Sequence, residues 1–168
     1  VSTGQTTATG LSQLTEEIIS HDAITRMLRE PLSSSMHLWK RIKSFVQEIA
    51  SDEGVLVLDD SIAEKPYTDE NEIVSWHWDH QRHRAVKGIN FLTLLYHSQR
   101  ISLPVSVQLI AKTQEYLDTR TGKHKRRSPV SKNEYAQQML LYARTLRIPF
   151  RYVLADSWYN SVETMHVI

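Results

Sequence analysis

The 168 residues, 40% hydrophobic and 23% charged, have the composition of an ordinary folded domain with a small appendage, long enough to bury a core without covalent staples. The absence of cysteine excludes disulfides, thiolate-bound metal and cysteine zinc fingers, and fits a reducing compartment. A formal charge of +1, from 20 Lys and Arg against 19 Asp and Glu, announces no polyanionic partner, so only the distribution of charge can.

Residues 1–10 are rich in Thr and Gly without apolar periodicity and read as an irregular end. Leu11, Leu14 and Ile18 then recur at helix spacing. Ser20 is placed to cap a second segment with Ile24, Met27 and Leu28 on one face, which Pro31 stops. This helix, junction, helix pattern reads equally as a plain hairpin or as a DNA-reading helix-turn-helix. A longer helix is predicted from Ser35 to Ala50: Leu38, Ile42, Phe45, Val46 and Ile49 form one apolar stripe, and Lys40, Arg41 and Lys43 face outward. Val55 to Leu58 is an unbroken apolar run, the mark of a strand buried on both faces, and it ends in Asp59 and Asp60.

From Ser61 to Ala85 the chain is polar, acidic and then His-rich, which predicts a long loop. Within it His77, His80 and His83 stand three apart, with Trp76, Trp78 and Asp79 interleaved. The plain reading is an exposed loop; next comes a loop near DNA offering aromatic and basic side chains, and third a transition-metal site. Lys65 and Tyr67 either reach a phosphate or pair locally. Val86 to His97 and Leu103 to Lys112 read as two long strands of a hairpin joined at Ser98 to Arg100.

Lys123, Lys125, Arg126 and Arg127 form a basic run in a Gly-, Thr- and Pro-containing loop; with Lys132 they are either phosphate contacts or a solvated face. Ser131 and Glu134 then make a capping box for a helix with Tyr135, Ala136, Met139, Leu140, Ala143 and Leu146 on one face, closed by Pro149. Tyr152 to Ala155 is a short apolar strand ending in Asp156.

A crossover through that helix sets the last strand parallel to the first and brings Asp59 and Asp156 side by side. A lone strand-terminal Asp is usually a turn or helix cap. Two at the carboxyl ends of neighbouring parallel strands are costly unless paired or metal-bound, and carboxylate oxygens suit Mg²⁺ or Mn²⁺.

Leu58-Asp59-Asp60-Ser61, Glu64 to Asn71, Val86 to Asn90 and Tyr152 to Tyr159 resemble the corresponding stretches of bacterial insertion-sequence transposases of the DDE superfamily. The resemblance implies a ribonuclease-H-like α/β fold, a mixed sheet in the order strand, strand, strand, helix, strand, preceded by an all-helical segment. Residues 1–52 become a helical, DNA-binding segment and 53–168 a partial catalytic domain. It further implies Mg²⁺ or Mn²⁺, hydrolysis at element ends, and attack of the freed 3′-hydroxyl on target DNA, with terminal repeats and target as partners and a homodimer in the complex. Asp59 takes the first catalytic role, with Asp60 its rival because it too precedes a Ser; Asp156 takes the second. The family's third acid, a Glu on a later helix, has no counterpart, since Glu163 lies only seven positions beyond Asp156.

With Val1 in place of Met and Ile168 inside an opening helix, both ends are expected to be cuts, and the chain as given to be inactive. A DNA-binding remnant and a helix-turn-helix regulator are the alternatives. No stretch approaches the ~20 apolar residues of a membrane span and no signal-peptide build opens the chain, so a bacterial cytoplasmic, nucleoid-associated location is expected.

Overall fold

The computed structural model describes residues 7–16, 18–29, 35–80 and 82–168, except the side chains of 27–29. The chain divides into two compact units, Val1–His37 and Leu38–Ile168. In the first, Thr7 caps α1 (Ala8–Leu14) by accepting from the Gly10 N–H at 3.1 Å. Ser20 Oγ accepts from the Ala23 N–H at 3.2 Å at the start of α2 (His21–Arg29), the capping role expected of it. Ile24 is buried, whereas Leu14 and Ile18, expected on an apolar stripe, are exposed, and Ile18 lies beyond the end of α1. The expected contributions of Met27 and Leu28 to the α2 face, and the stop at Pro31, lie outside the described residues.

The second unit is a sheet with helices against one face. Helix α3 (Ser35–Ile49) buries Val46 and Ile49 and leaves Phe45 exposed. Strand β1 (Val55–Glu64) pairs antiparallel with β3 (Arg84–Ser98) and parallel with β7 (Tyr152–Ala155). The far edge of β3 carries β2 (Val74–Asp79) and β4 (Ile101–Leu109) in succession. The β3–β4 turn places Gln99 and Arg100 at φ 49° and 66°, the two left-handed residues that a tight hairpin requires. Along β1 and β3 alternation is strict: Leu56, Leu58, Leu92, Leu94 and Tyr96 are buried on one face, and their neighbours are only half covered. Ala136, Met139, Leu140 and Ala143 of α4 (Lys132–Thr145) complete that core, and the capping box of Ser131 and Glu134 opens the helix as its sequence predicts.

Three expectations are corrected. The stretch 61–85 is not one long loop: β1 runs on to Glu64, and β2 pairs with β3 from Val74↔Ile89 to Asp79↔Arg84. Backbone pairing overrides the polar composition there. The basic run is not a loop either. It forms β6 (Lys123–Arg127), paired with β5 (Gln114–Asp118) in a separate two-stranded sheet whose cross-strand neighbours include Glu115↔Arg126 and Asp118↔Lys123. Finally, β1 is buried fully on one face only, because the described helices pack on the Leu56–Leu58 side. Among the described residues no helix is long and apolar enough to cross a membrane.

Candidate active site

Strand alternation sends the adjacent acids of β1 to opposite faces. Continuing the series Leu56, Leu58 puts Asp60 on the face that α4 covers, and Asp59 on the opposite one. Asp59 is exposed and accepts from the Asp60 N–H at 2.9 Å. The Asp60 carboxylate pairs with the ammonium of Lys132, the first residue of α4, and lies 3.4 Å from Asn90 Nδ2 on β3. Burial is the largest influence on Asp60 and pushes its pKa up; the hydrogen bond and charge of Lys132, helped by Asn90 and Tyr159, outweigh it and hold the acid below the usual range.

Asp156 follows the end of β7 and caps a 3-10 turn (Ser157–Tyr159), its Oδ1 accepting from the Trp158 N–H at 3.0 Å and the Ser157 hydroxyl at 3.1 Å. These two bonds, the backbone one first, lower its pKa, while the negative charge of Asp60 works in the other direction. The same turn buries Tyr159, 1% exposed, whose hydroxyl has no hydrogen bond of good geometry among the described residues. Burial, followed by the charge of Asp60, pushes that phenol's pKa up, so it remains a neutral wall of the site.

The acids meet on one open cavity of about 690 Å³, lined also by Lys132, Trp78, His80 and Trp158. Asp156 is thus brought together with Asp60, the rival of the two candidates, and Asp59 does not line the space. Lys132, expected to touch DNA, lies against the acid. The other predicted DNA contacts sit on the β5–β6 ribbon: Lys125 pairs with Asp118, Arg126 with Glu115 at 3.0 Å, and Arg127 reaches Gln114 at 3.3 Å and covers the Tyr116 ring at 5.5 Å. Lys123 opens that strand as an exposed residue.

The three histidines separate. His77, on β2, shares a hydrogen bond of 3.0 Å with Ser75, and burial followed by the charges of Lys112 and Lys132 lowers its pKa to about 4. His80 turns its ring toward Trp158, and His83 occupies the turn at φ 49°. Glu163 lies in the first turn of α5 (Val162–Val167). Sequence reasoning missed Asn90 and the pairing of Lys132, for which the alternation Leu56, Leu58, Asp60 was the available signal; Trp78 and His80, read from the sequence as part of a loop, line the cavity.

Three carboxylate residues, Asp60, Asp79 and Asp156, line one cavity, Asp60 already holding a cation, and hard oxygen donors of this kind suit a divalent metal that keeps part of its water shell. Among the described residues no group of three or more acids or histidines is arranged to hold an ion. A family model described as DDE superfamily endonuclease matches residues 1–168, the whole chain. No curated protein and no solved structure matches it. The mixed sheet, mostly antiparallel with β7 parallel to β1, is compatible with the ribonuclease-H-like fold of that superfamily. The chain belongs to the DDE superfamily endonucleases.

Proposed function

We propose that the chain is the DNA-processing part of a transposase, and that Asp60 and Asp156 are its first two catalytic carboxylates. The observation that carries this reading is that both line one cavity at the ends of parallel-paired segments of β1 and β7, with Asp59 turned to the other face. Asp60 and Asp156 are the residues to hold Mg²⁺ or Mn²⁺. The metal supplies Lewis-acid activation of water and charge neutralisation at the phosphodiester. The chain's own residues position the acids: Asn90 and Lys132 fix the Asp60 carboxylate, the Trp158 N–H fixes that of Asp156, and Tyr159 fills the space behind them.

Binding without turnover is a second reading for these 168 residues, favoured because Asp79, though it lines the same cavity, does not join the pair in a group of three arranged to hold an ion among the described residues. Two-metal chemistry needs ligands that fix both ions in line with the scissile phosphate. One experiment addresses both: the purified chain is incubated with DNA carrying element ends and Mn²⁺, beside Asp60→Asn and Asp156→Asn. Mn²⁺ binding lost in both variants supports the assignment, and retention in both refutes it. Nicking by the unaltered chain that Asp156→Asn abolishes refutes the second reading.

A further inference from the structure

We propose that the Lys132 ammonium is an autoinhibitory counter-ion: it closes Asp60 to divalent metal in the DNA-free chain and releases it when a DNA backbone phosphate enters the cavity. The proposal rests on the reading of the site as DNA-processing and adds to it a coupling between DNA and metal carried by one side chain.

Lys132 is the first residue of α4, where the helix macrodipole is positive and disfavours a cation. The helix start does not need it, because Ser131 and Glu134 complete the cap between them. Ser131 Oγ accepts from the Glu134 N–H at 3.2 Å, and the Ser131 N–H donates to the Glu134 carboxylate at 2.8 Å. A second ammonium adds to the repulsion. Lys112 is partly buried, and its pKa is lowered by burial first and also by the charge of Lys132, against the pull of Glu70. Against the dipole and Lys112 stands the Asp60 carboxylate, on which the Lys132 ammonium rests. The two side chains are 33% and 30% exposed, so water screens them less than a surface pair, and both line the open cavity. An anion entering that cavity meets a lysine on a flexible stem, which can turn to it without moving α4. Asn90 Nδ2, 3.4 Å from the same Asp60 oxygen, stays behind and keeps the carboxylate oriented. With the ammonium shifted to the phosphate, Asp60 offers a hard cation an uncompensated negative charge. Each ligand then raises the affinity of the other by the same factor, as linkage requires.

The test measures Mn²⁺ affinity of the 168-residue chain from the electron-spin-resonance signal of the free ion. It is run alone and with a saturating short DNA duplex, whose own Mn²⁺ uptake is subtracted. The unaltered chain is expected to bind Mn²⁺ roughly ten-fold more tightly with DNA present, and the duplex to gain the same factor from Mn²⁺. Lys132→Met is expected to bind Mn²⁺ more tightly than the parent without DNA, and to show a DNA-induced gain of less than about two-fold. Lys132→Arg keeps the charge and is expected to keep most of the coupling. An equal gain in Lys132→Met means that a phosphate oxygen ligates the ion without help from the lysine, and overturns the proposal. Loss of the coupling in a Lys132→Arg chain that melts at the parent's temperature overturns it as well. A duplex that binds the unaltered chain without changing its Mn²⁺ affinity overturns it with the DNA-processing reading intact. Binding of neither Mn²⁺ nor DNA removes that reading and the proposal together.

Discussion

Replacing each acid separately by Asn separates the roles of Asp59, Asp60 and Asp156 without needing turnover. Asp60 and Lys132 form a pair whose side chains are 30% and 33% exposed, between an exposed pair worth about 0–1 kcal/mol and a buried one whose breaking costs about 3–5 kcal/mol. Asp60→Asn leaves the Lys132 ammonium without its counter-charge, so a loss of about 1–2 kcal/mol at neutral pH is expected. For a chain of this size that lowers the melting temperature by roughly 2–8 °C. Because the folded pKa of Asp60 is depressed below 3.8, its contribution is full above that value and is lost as pH falls through the lower folded pKa. The gap between variant and parent should therefore close in strong acid. Asp59→Asn, on an exposed carboxylate, should leave the melting temperature within about 2 °C. Asp156→Asn keeps an oxygen for the Trp158 N–H but loses the charge that the Trp158 and Ser157 bonds favour over the repulsion from Asp60, so its melting temperature at neutral pH should be unchanged or slightly lowered. Melts followed by circular dichroism at neutral pH and in acid, paired with Mn²⁺ titration, check all three. An Asp59→Asn variant that loses Mn²⁺ binding while Asp60→Asn retains it would refute the alternation argument.

Gly88→Ala places a Cβ 2.4 Å from the Ala63 carbonyl oxygen, a backbone atom that can yield only by spreading β1 from β3; a loss of about 1–3 kcal/mol in thermal or urea unfolding is expected. With the His77 pKa lowered from 6.5 to about 4, the unfolded chain binds more protons across that interval, so stability falls as pH drops from about 6.5 to about 4. His77→Gln should flatten this part of a plot of melting temperature against pH. Changing Arg126 and Arg127 to Ala should weaken duplex binding and reduce its salt slope by less than about two units, because Arg126 is already shared with Glu115; unchanged affinity and slope assign β6 to a solvated face. Lys132→Met should tighten Mn²⁺ binding, measured by calorimetry, since a competing cation leaves Asp60, and an unchanged or weaker affinity contradicts that competition.

What was legible in the sequence was whatever the core controls. Helix α4 announced itself through its capping box and apolar face, and the β3–β4 hairpin through its apolar alternation, because in each of them burial on one side imposes a period, whereas β7 showed only as a short apolar run, its Tyr152 and Leu154 being exposed. Strand β2 was hidden because the exposed face of Val74–Asp79 carries Trp76 and Trp78, while Ser75 and His77 alternate with them on the other face, so apolarity points away from burial. The β5–β6 ribbon was hidden for a different reason: its residues are mostly exposed, and its pairing is carried by charges such as Glu115 and Arg126 that look solvated until the register is known. At the site, treating Val55–Leu58 as buried on both faces erased the alternation that assigns Asp60 to the α4 side. The half-covered Val55 and Val57 against fully buried Leu56 and Leu58 restore it.

The two acids are held in different ways. Asp60 lies within a ten-residue strand paired with β3 from Val55↔His97 to Glu64↔Gly88, so its backbone is fixed on both sides of the acid. Its carboxylate is shared with a lysine that the capping box of α4 anchors at the next residue but one along. Asp156 lies past the last bridge of β7, Leu58↔Ala155, and is oriented only by its own turn, with both bonds falling on Oδ1. At each acid these bonds fall on one oxygen, Oδ2 of Asp60 and Oδ1 of Asp156, so the other carboxylate oxygen of each carries neither of them; the difference is that Asp60 also faces the charge of Lys132, with which an arriving cation would compete. The ordering cost at Asp60 is met during folding, by strand pairing and helix packing, whereas Asp156 can follow the ion by adjusting one short turn. Since a rigid element positions a ligand more closely than a loop does, the proposed assignment has β1 setting where a metal would sit and the turn after β7 adapting to it.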